Sequence, residues 1–431
     1  RIDIKSIDLS KFEIDEGEKT AISLSFDTKP RVWENQIPSY KGSTNIETIE
    51  TTRKYLEYAP SVMGLMVKIG PRTCPSIEEK VRWFPDRLEH SFFLEKEGFN
   101  TDETYIQGMY MSVPMEYQIE ILKTIPGFEN IKMIRPGYAI AYDLIDPKEL
   151  LPTLQTNKFE NLFLAGQING TTGYDEAAGQ GILAGINAAL YANNKKLLIL
   201  KREDSYIGVM IDDLIKKGID EPYRITPSHV ENRILLRQDN ADIRLTPISY
   251  EIGLISYEKY KKVIEKKEKI NELINILINK KINPSYENNE ILKSIEEDTI
   301  NTPYTIFDLL KRPSFSIEKL KKFFPEVSKY DDDVLFEVMI EARYFGYIKR
   351  YQKNLENLKR YEKITIPENI DYKLIPNLSK QAQERLIKYK PKTLKDAKEL
   401  TGVTPADVLN LLLYLEKNRF KFKEDGSSEM D

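Results

Sequence analysis

The chain has 431 residues, enough for two or three domains with a core each, and its 41% hydrophobic and 31% charged residues are ordinary for a globular protein. A balance of 64 Lys and Arg against 68 Asp and Glu, formal net charge -4, excludes a dedicated polybasic nucleic-acid binder and leaves any RNA contact to a local patch. One cysteine excludes an internal disulfide and fits a reducing compartment, two histidines beside it cannot build a zinc-type site, and no run of about 18 apolar residues is available to span a membrane.

Residues 1–60 read as short strands and loops, with Ile2, Ile4 and Ile7 set among charges. An apolar run of strand length follows at 62–69, then a turn at 70–80 forced by one glycine and two prolines. Strands are expected at 90–95 and within 131–144, the second interrupted by Arg135-Pro136-Gly137. Residues 161–166 predict a short buried strand, 167–173 a small, flexible turn, and 175–191 a helix packed closely through Gly181 and Gly185. From about residue 250 helical periodicity dominates, over 257–280, 317–324, 331–360, 379–389 and 404–418, separated by breaks that contain proline.

The strand–turn–helix at 161–192 carries the strongest chemical signal. A helix amino terminus offers unpaired N–H groups and a partial positive charge, and glycines let an anionic ligand approach. Thr171 or Thr172 is placed to cap the helix. A plain βα unit would look the same. Cys74 suits a nucleophile, with Arg72 two residues away to favour the thiolate, although an inert buried thiol is the commoner fate of a lone cysteine. Arg224, Arg233, Arg237 and Arg244 form a basic cluster that either holds phosphate or pairs with Glu231, Asp239 and Asp242. His90 reads as structural. The lysine-rich helix from 257 either touches RNA or is a solvated amphipathic face.

Ala165-Gly166-Gln167-Ile168-Asn169-Gly170-Thr171-Thr172-Gly173-Tyr174-Asp175-Glu176-Ala177-Ala178-Gly179-Gln180-Gly181 resembles the flavin-contacting signature of the MnmG (GidA) family, the tRNA uridine 5-carboxymethylaminomethyl modification enzymes. Segments 70–80, 135–140, 146–154, 206–214, 221–224 and 237–245 agree in the same order, so the likeness runs essentially end to end. It implies an α/β FAD/NAD(P)-binding fold, Rossmann-like and incomplete, with an inserted α+β domain, followed by an all-α carboxy-terminal domain. The implied divisions are 1–156, an inserted α+β and NAD-type region; 157–195, the closing βα unit; 196–250, a connecting segment; and 251–431, a helical tRNA- and partner-binding domain.

The resemblance also implies a chemistry. FAD would contact Gln167, Asn169, Gly170, Thr171, Thr172 and Gly173, and a nucleotide, NAD(H) in the family, would contact Gly70, Pro71, Arg72, Ser76, Glu78, Lys80 and Phe84. Cys74 would be the nucleophile, and Arg224, Arg233, Arg237 and Arg244 would meet RNA. Methylenetetrahydrofolate would supply carbon to C5 of uridine 34 in tRNA, in a cytoplasmic homodimer working with the GTPase MnmE, without a membrane or a metal. The family's amino-terminal G-x-G-x-x-G loop is absent and the first residue is Arg1, so the chain is expected to be cut from something longer. It also departs from the family pattern at Ser39, Thr73, Ala141, His229 and Asn232. Two further readings stay open: a catalytically inactive truncated module that binds tRNA or MnmE, and a relative of the folate-dependent tRNA uracil-5-methyltransferases, against which the long helical region after 250 argues.

Overall fold

The computed structural model describes residues 1–17, 20–21, 31–32, 36–60, 62–63, 75–140, 142–361 and 364–418. The chain forms two compact units. The first comprises Arg1–Asp146, Gly166–Ala177 and Ile219–Arg224, and the second Pro147–Ala165, Ala178–Gly218 and Ile225–Asp431. The apolar run at 62–69 falls almost wholly outside the described residues.

The first unit is α+β. Strands β1 (Ile2–Asp3), β2 (Glu13–Asp15), β5 (Ser39–Ser43), β6 (Ser91–Lys96) and β7 (Glu103–Gln107) form one antiparallel sheet in the order β1-β7-β6-β5-β2. A separate antiparallel pair joins β3 (Thr20–Ala21) to β4 (Arg31–Val32). On β6 the period of two sends Phe92 and Leu94 inward. Phe92 meets Phe12 and Phe128, with ring centroids 6.0 and 5.7 Å away. Gly42 on β5 is required there, because a Cβ would stand 2.8 Å from a Phe12 ring carbon. Helices α1 (Ile46–Lys54), α2 (Ile77–Trp83) and α3 (Met115–Lys123) cover this core, and Ile49, Ile77, Val81, Ile121 and Leu122 are buried in it. Each of α1 and α2 starts in a reciprocal capping box, Asn45 with Thr48 and Ser76 with Glu79.

Among the described residues of 131–144 the expected strand does not form. Only an isolated bridge from Met133 to Ile2 survives. Gly137 N donates instead to Gln118 Oε1 at 2.7 Å, and the proline before it has no donor for a ladder.

Helix α4 (Tyr174–Ala192) begins in the first unit and continues in the second, followed by α5 (Tyr206–Lys217), α6 (Ala241–Glu251) and α7 (Tyr257–Asn279). Then come strand β8 (Lys281–Ile282), α8 (Tyr286–Ser294) and strand β9 (Tyr304–Thr305), which pairs antiparallel with β8. Helices α9 (Ile306–Leu310), α10 (Ile317–Phe323), α11 (Asp332–Tyr361), α12 (Lys380–Tyr389), α13 (Leu394–Glu399) and α14 (Pro405–Lys417) complete the second unit. Among the described residues its helices hold two large cores, beside a small cluster of Val209, Val230 and Leu236. One packs Leu273, Leu277, Leu309, Leu310, Phe315 and Val338, and the other packs Leu386, Ala397, Leu411 and Leu412. Thr305, Thr393 and Thr404 each begin a helix in a capping box.

Two expectations about residues 161–192 need correcting. The segment 161–166 is not a buried strand: its one bridge is Phe163 to Gln155, and Leu162 is 41% exposed. Its backbone pairs with residues 154–156, Thr156 N donating to Leu162 O at 2.9 Å and Leu164 N to Leu154 O at 3.0 Å, a pairing too short to make a strand. The helix does not pack through Gly181 and Gly185 either. A Cβ at those two positions would meet nothing within 4 Å, whereas at Gly179 it would meet Ile207 at 3.0 Å.

Candidate functional site

In the first unit the chain bends through a 3₁₀ turn, Gly166–Asn169, and enters α4 at Tyr174. Gly166 and Gly170 sit at φ +86° and +82°, a region that glycine enters without strain. The bend is closed from inside. Thr171 Oγ1 donates to Gly166 O at 3.1 Å, and Gly170 N donates to Gln167 O at 2.8 Å. Its far side is fixed by Tyr223 N, which donates to Gly170 O at 2.9 Å, and by a parallel bridge between Thr171 and Tyr223. A Cβ on Gly170 would collide with Ile219, and one on Gly173 would collide with the Glu176 carboxylate.

Polar groups concentrate at this bend. Asn169, Thr171 and Glu176 are all at most 1% exposed. Arg224 Nε lies 3.4 Å from Glu176 Oε1. Thr172 Oγ1 is buried with no hydrogen-bond partner, so Thr172 does not cap the helix as expected. A buried hydroxyl left unpaired costs roughly 1–3 kcal/mol, and such a group is retained where a ligand completes it. The first-turn N–H groups of α4 add donors with a positive dipole end behind them. This donor set fits a polar, electron-accepting ring such as a flavin. Gln167 and Ile168 are exposed.

The nucleotide-type segment is described only from residue 75, so Gly70, Pro71, Arg72 and Cys74 lie outside the described residues. Ser76 caps α2 and exchanges bonds with Glu79. Glu78 is 1% exposed; its Oε1 accepts from Ser112 N at 2.7 Å and Val113 N at 3.1 Å, while Oε2 is buried with no partner among the described residues. Burial, then the Glu78 charge, pushes the Tyr110 phenol up to about 12. Lys80 Nζ donates to Gly108 O at 2.7 Å, and Phe84 is 48% exposed. His90 is buried just before β6, where burial lowers its pKa, and its backbone N donates to Thr44 Oγ1 at 2.9 Å.

The four arginines take different places. Arg224 belongs to the glycine bend. Arg233 is exposed. Arg237 is 9% exposed at its side chain and sits among three carboxylates, 3.0 Å from Asp239, 3.2 Å from Glu337 and 2.6 Å from Glu341. Arg244 Nε donates to Asn240 Oδ1 at 2.8 Å, and Nη2 donates to Arg237 O at 3.1 Å. The ion-pair alternative therefore describes Arg237. Sequence reasoning missed Arg202, whose guanidinium bonds Asp213 at 2.7 Å, Glu231 at 2.9 Å and Asp212 at 3.2 Å, tying α5 to the turn that holds His229. The adjacent acids Asp212 and Asp213 were the available clue.

Three family models match in sequence order: "Glucose inhibited division protein A" over residues 1–196, the "tRNA modifying enzyme MnmG/GidA C-terminal helical domain" over 257–352, and the "tRNA modifying enzyme MnmG/GidA C-terminal helical bundle" over 354–431. The chain is 45% identical over 419 residues to the tRNA uridine 5-carboxymethylaminomethyl modification enzyme MnmG of Bacillus licheniformis, covering 97% of this chain and 67% of that one. The chain belongs to the MnmG/GidA family. The MnmG of Caldicellulosiruptor saccharolyticus is also 45% identical, with 97% and 66% covered. A solved structure of Aquifex aeolicus GidA superposes with a TM-score of 0.71 at 40% identity, over 96% of this chain and 65% of that one.

The fold is thus that of GidA, an FAD-binding domain followed by helical carboxy-terminal domains. MnmG proteins are FAD-dependent tRNA modification enzymes. The chain spans about two thirds of the length of these relatives. Among the described residues no helix is long and apolar enough to cross a membrane.

Proposed function

We propose that this MnmG-family chain serves FAD-dependent modification of the wobble uridine of tRNA, adding a carboxymethylaminomethyl or aminomethyl group at C5. The observation that carries the reading is the glycine-lined bend with the buried, unpartnered Thr172 hydroxyl at the start of α4. Gln167, Asn169, Gly170, Thr171, Thr172 and Gly173 would hold the flavin. The amino terminus of α4 would stabilise negative charge developing beside it. FAD, when bound, supplies the redox chemistry for a one-carbon unit drawn from methylenetetrahydrofolate.

Gly70, Pro71, Arg72, Ser76, Glu78, Lys80 and Phe84 would receive NAD(H). Within that segment Ser76 and Glu79 fix the start of α2, and Glu78 ties the helix to the backbone at Ser112 and Val113. Cys74 would add its thiolate to C6 of the uracil, forming an S–C6 bond and placing the electron pair on C5. After substitution at C5 and loss of the C5 proton, the S–C6 bond would break and return the thiolate. A cytoplasmic homodimer acting with the GTPase MnmE is the assembly this reading entails.

The test is tRNA from cells whose only copy of the full coding region carries Cys74→Ser or Thr172→Val. Mass spectrometry is expected to show unmodified uridine 34 in the first. In the second, the purified protein is expected to retain less flavin by absorbance. Normal modification in Cys74→Ser cells would remove Cys74 from the chemistry, and unchanged flavin content in Thr172→Val would remove the bend from the flavin site.

A further inference from the structure

Helix α11 contains a glycine that packing does not explain. Gly346 lies in the helix interior and is exposed, and a Cβ there would meet nothing within 4 Å. After proline, glycine is the worst helix former, so alanine would serve the helix better. Where packing does not require it, an interior glycine marks a place where another backbone or a ligand comes close.

The groups around that gap say what would approach. On a helix the neighbours of a residue stand three and four positions away. For Gly346 these include Arg343, Lys349 and Arg350, all exposed. Among the described residues none of the three forms a salt bridge. Arg343 donates to two neutral carbonyls, Phe315 O at 2.8 Å and Pro313 O at 3.3 Å, which hold the side chain and leave its charge. Lys349 lies over the Phe345 ring at 4.5 Å, and Arg350 over the Tyr347 ring at 6.0 Å. Residues 342–350 contain no acid, and the preceding Glu341 is taken by Arg237 at 2.6 Å. Three lysines of α7 differ: Lys261, Lys266 and Lys269 pair with Glu265, Asp242 and Asp331. Tyr347, 60% exposed, stands beside the gap with Tyr344, ring centroids 6.4 Å apart.

We propose that this face of α11 binds the sugar–phosphate backbone of the RNA substrate, with a phosphate seated over Gly346 between Arg343, Lys349 and Arg350 and with Tyr347 beside the adjoining nucleotide. The proposal rests on the tRNA-modification reading above. A cation-rimmed gap with helix backbone at its floor suits a narrow anionic strand, and arginine beside an exposed ring suits a base or ribose next to it.

The test measures binding of the 431-residue chain to a fluorescein-labelled, unmodified tRNA transcript with uridine at position 34. Anisotropy titrations are run across a range of salt concentrations. Lys349→Gln and Arg350→Gln are each expected to weaken binding and to flatten the log Kd against log salt slope by about 1. Lys261→Gln is expected to leave the slope unchanged. Gly346→Ala is expected to raise the melting temperature yet weaken RNA binding several-fold, a pair of effects that a merely structural glycine would not give. If the parent chain binds and all three α11 variants match its affinity and slope, this surface is wrong and the tRNA reading stands. If the parent chain does not bind the transcript, the tRNA reading and the surface fall together.

Discussion

Arg224 and Glu176 meet over Gly173: the guanidinium Nε is 3.4 Å from Oε1 of a carboxylate that is 1% exposed, and a Cβ on the glycine would stand 2.9 Å from Arg224 Cζ. The pair closes the glycine bend from the side of residues 219–224. Removing the arginine would take a cation away from a buried carboxylate, which is more damaging than the pair itself is stabilising. Arg224→Met is expected to destabilise the first unit by about 3 kcal/mol in a urea titration. Adding Glu176→Gln should recover part of that loss, because the leftover charge is removed. A double variant as unstable as the single one would show that Glu176 is neutralised by other groups.

The glycines of the bend and those of the following helix should respond with opposite signs. Gly170 holds φ +82° and faces Ile219, so Gly170→Ala forces both backbone strain and a collision. A loss of about 2 kcal/mol or more is expected. Gly181 lies in a helix interior with open space at its Cβ, so Gly181→Ala should stabilise by about 0.5–1 kcal/mol. Denaturation midpoints of the two variants measure this directly. Equal shifts in one direction would contradict the placement of Gly170 against Ile219.

Much of this arrangement was legible in the sequence where the determinants are local. Spacing of apolar residues placed helices at 257–280 and 317–324, and the helices found are Tyr257–Asn279 and Ile317–Phe323. The strand expected at 90–95 is Ser91–Lys96, set by the alternation of Phe92 and Leu94. The glycine bend at 166–173 announced itself through residues that tolerate positive φ. Non-local pairing was invisible. Arg237 reaches Glu337 and Glu341 about a hundred positions away, and no local pattern distinguishes such an arginine from a phosphate ligand. The segment 161–166 reads as a strand because it is apolar, yet a strand exists only through its neighbours, and Phe163 finds a single bridge at Gln155. The helix α1 went unforeseen because its polar first turn, Ile46-Glu47-Thr48, resembles a loop until the Asn45 capping box is recognised.

The Arg237 cluster also predicts a pH dependence. Glu337 is 2% exposed, and burial followed by the neighbouring Asp239 raises its carboxyl from 4.5 to about 8. Arg237 and Lys266 pull the other way without prevailing, and Glu341 adds a further carboxylate on the same guanidinium. The fold therefore favours the protonated acid. That contribution is fully present below the unfolded value of about 4.5 and is lost as pH rises towards 8. Glu337→Gln presents the same shape with a permanent donor towards Asp239 and an acceptor towards Arg237. Melting temperatures between pH 5 and 9 should fall for the parent chain and fall less for the variant, so that Glu337→Gln is the more stable at alkaline pH. Parallel curves for the two proteins would mean that Glu337 stays ionised beside Arg237 and that its burial is offset by that one guanidinium.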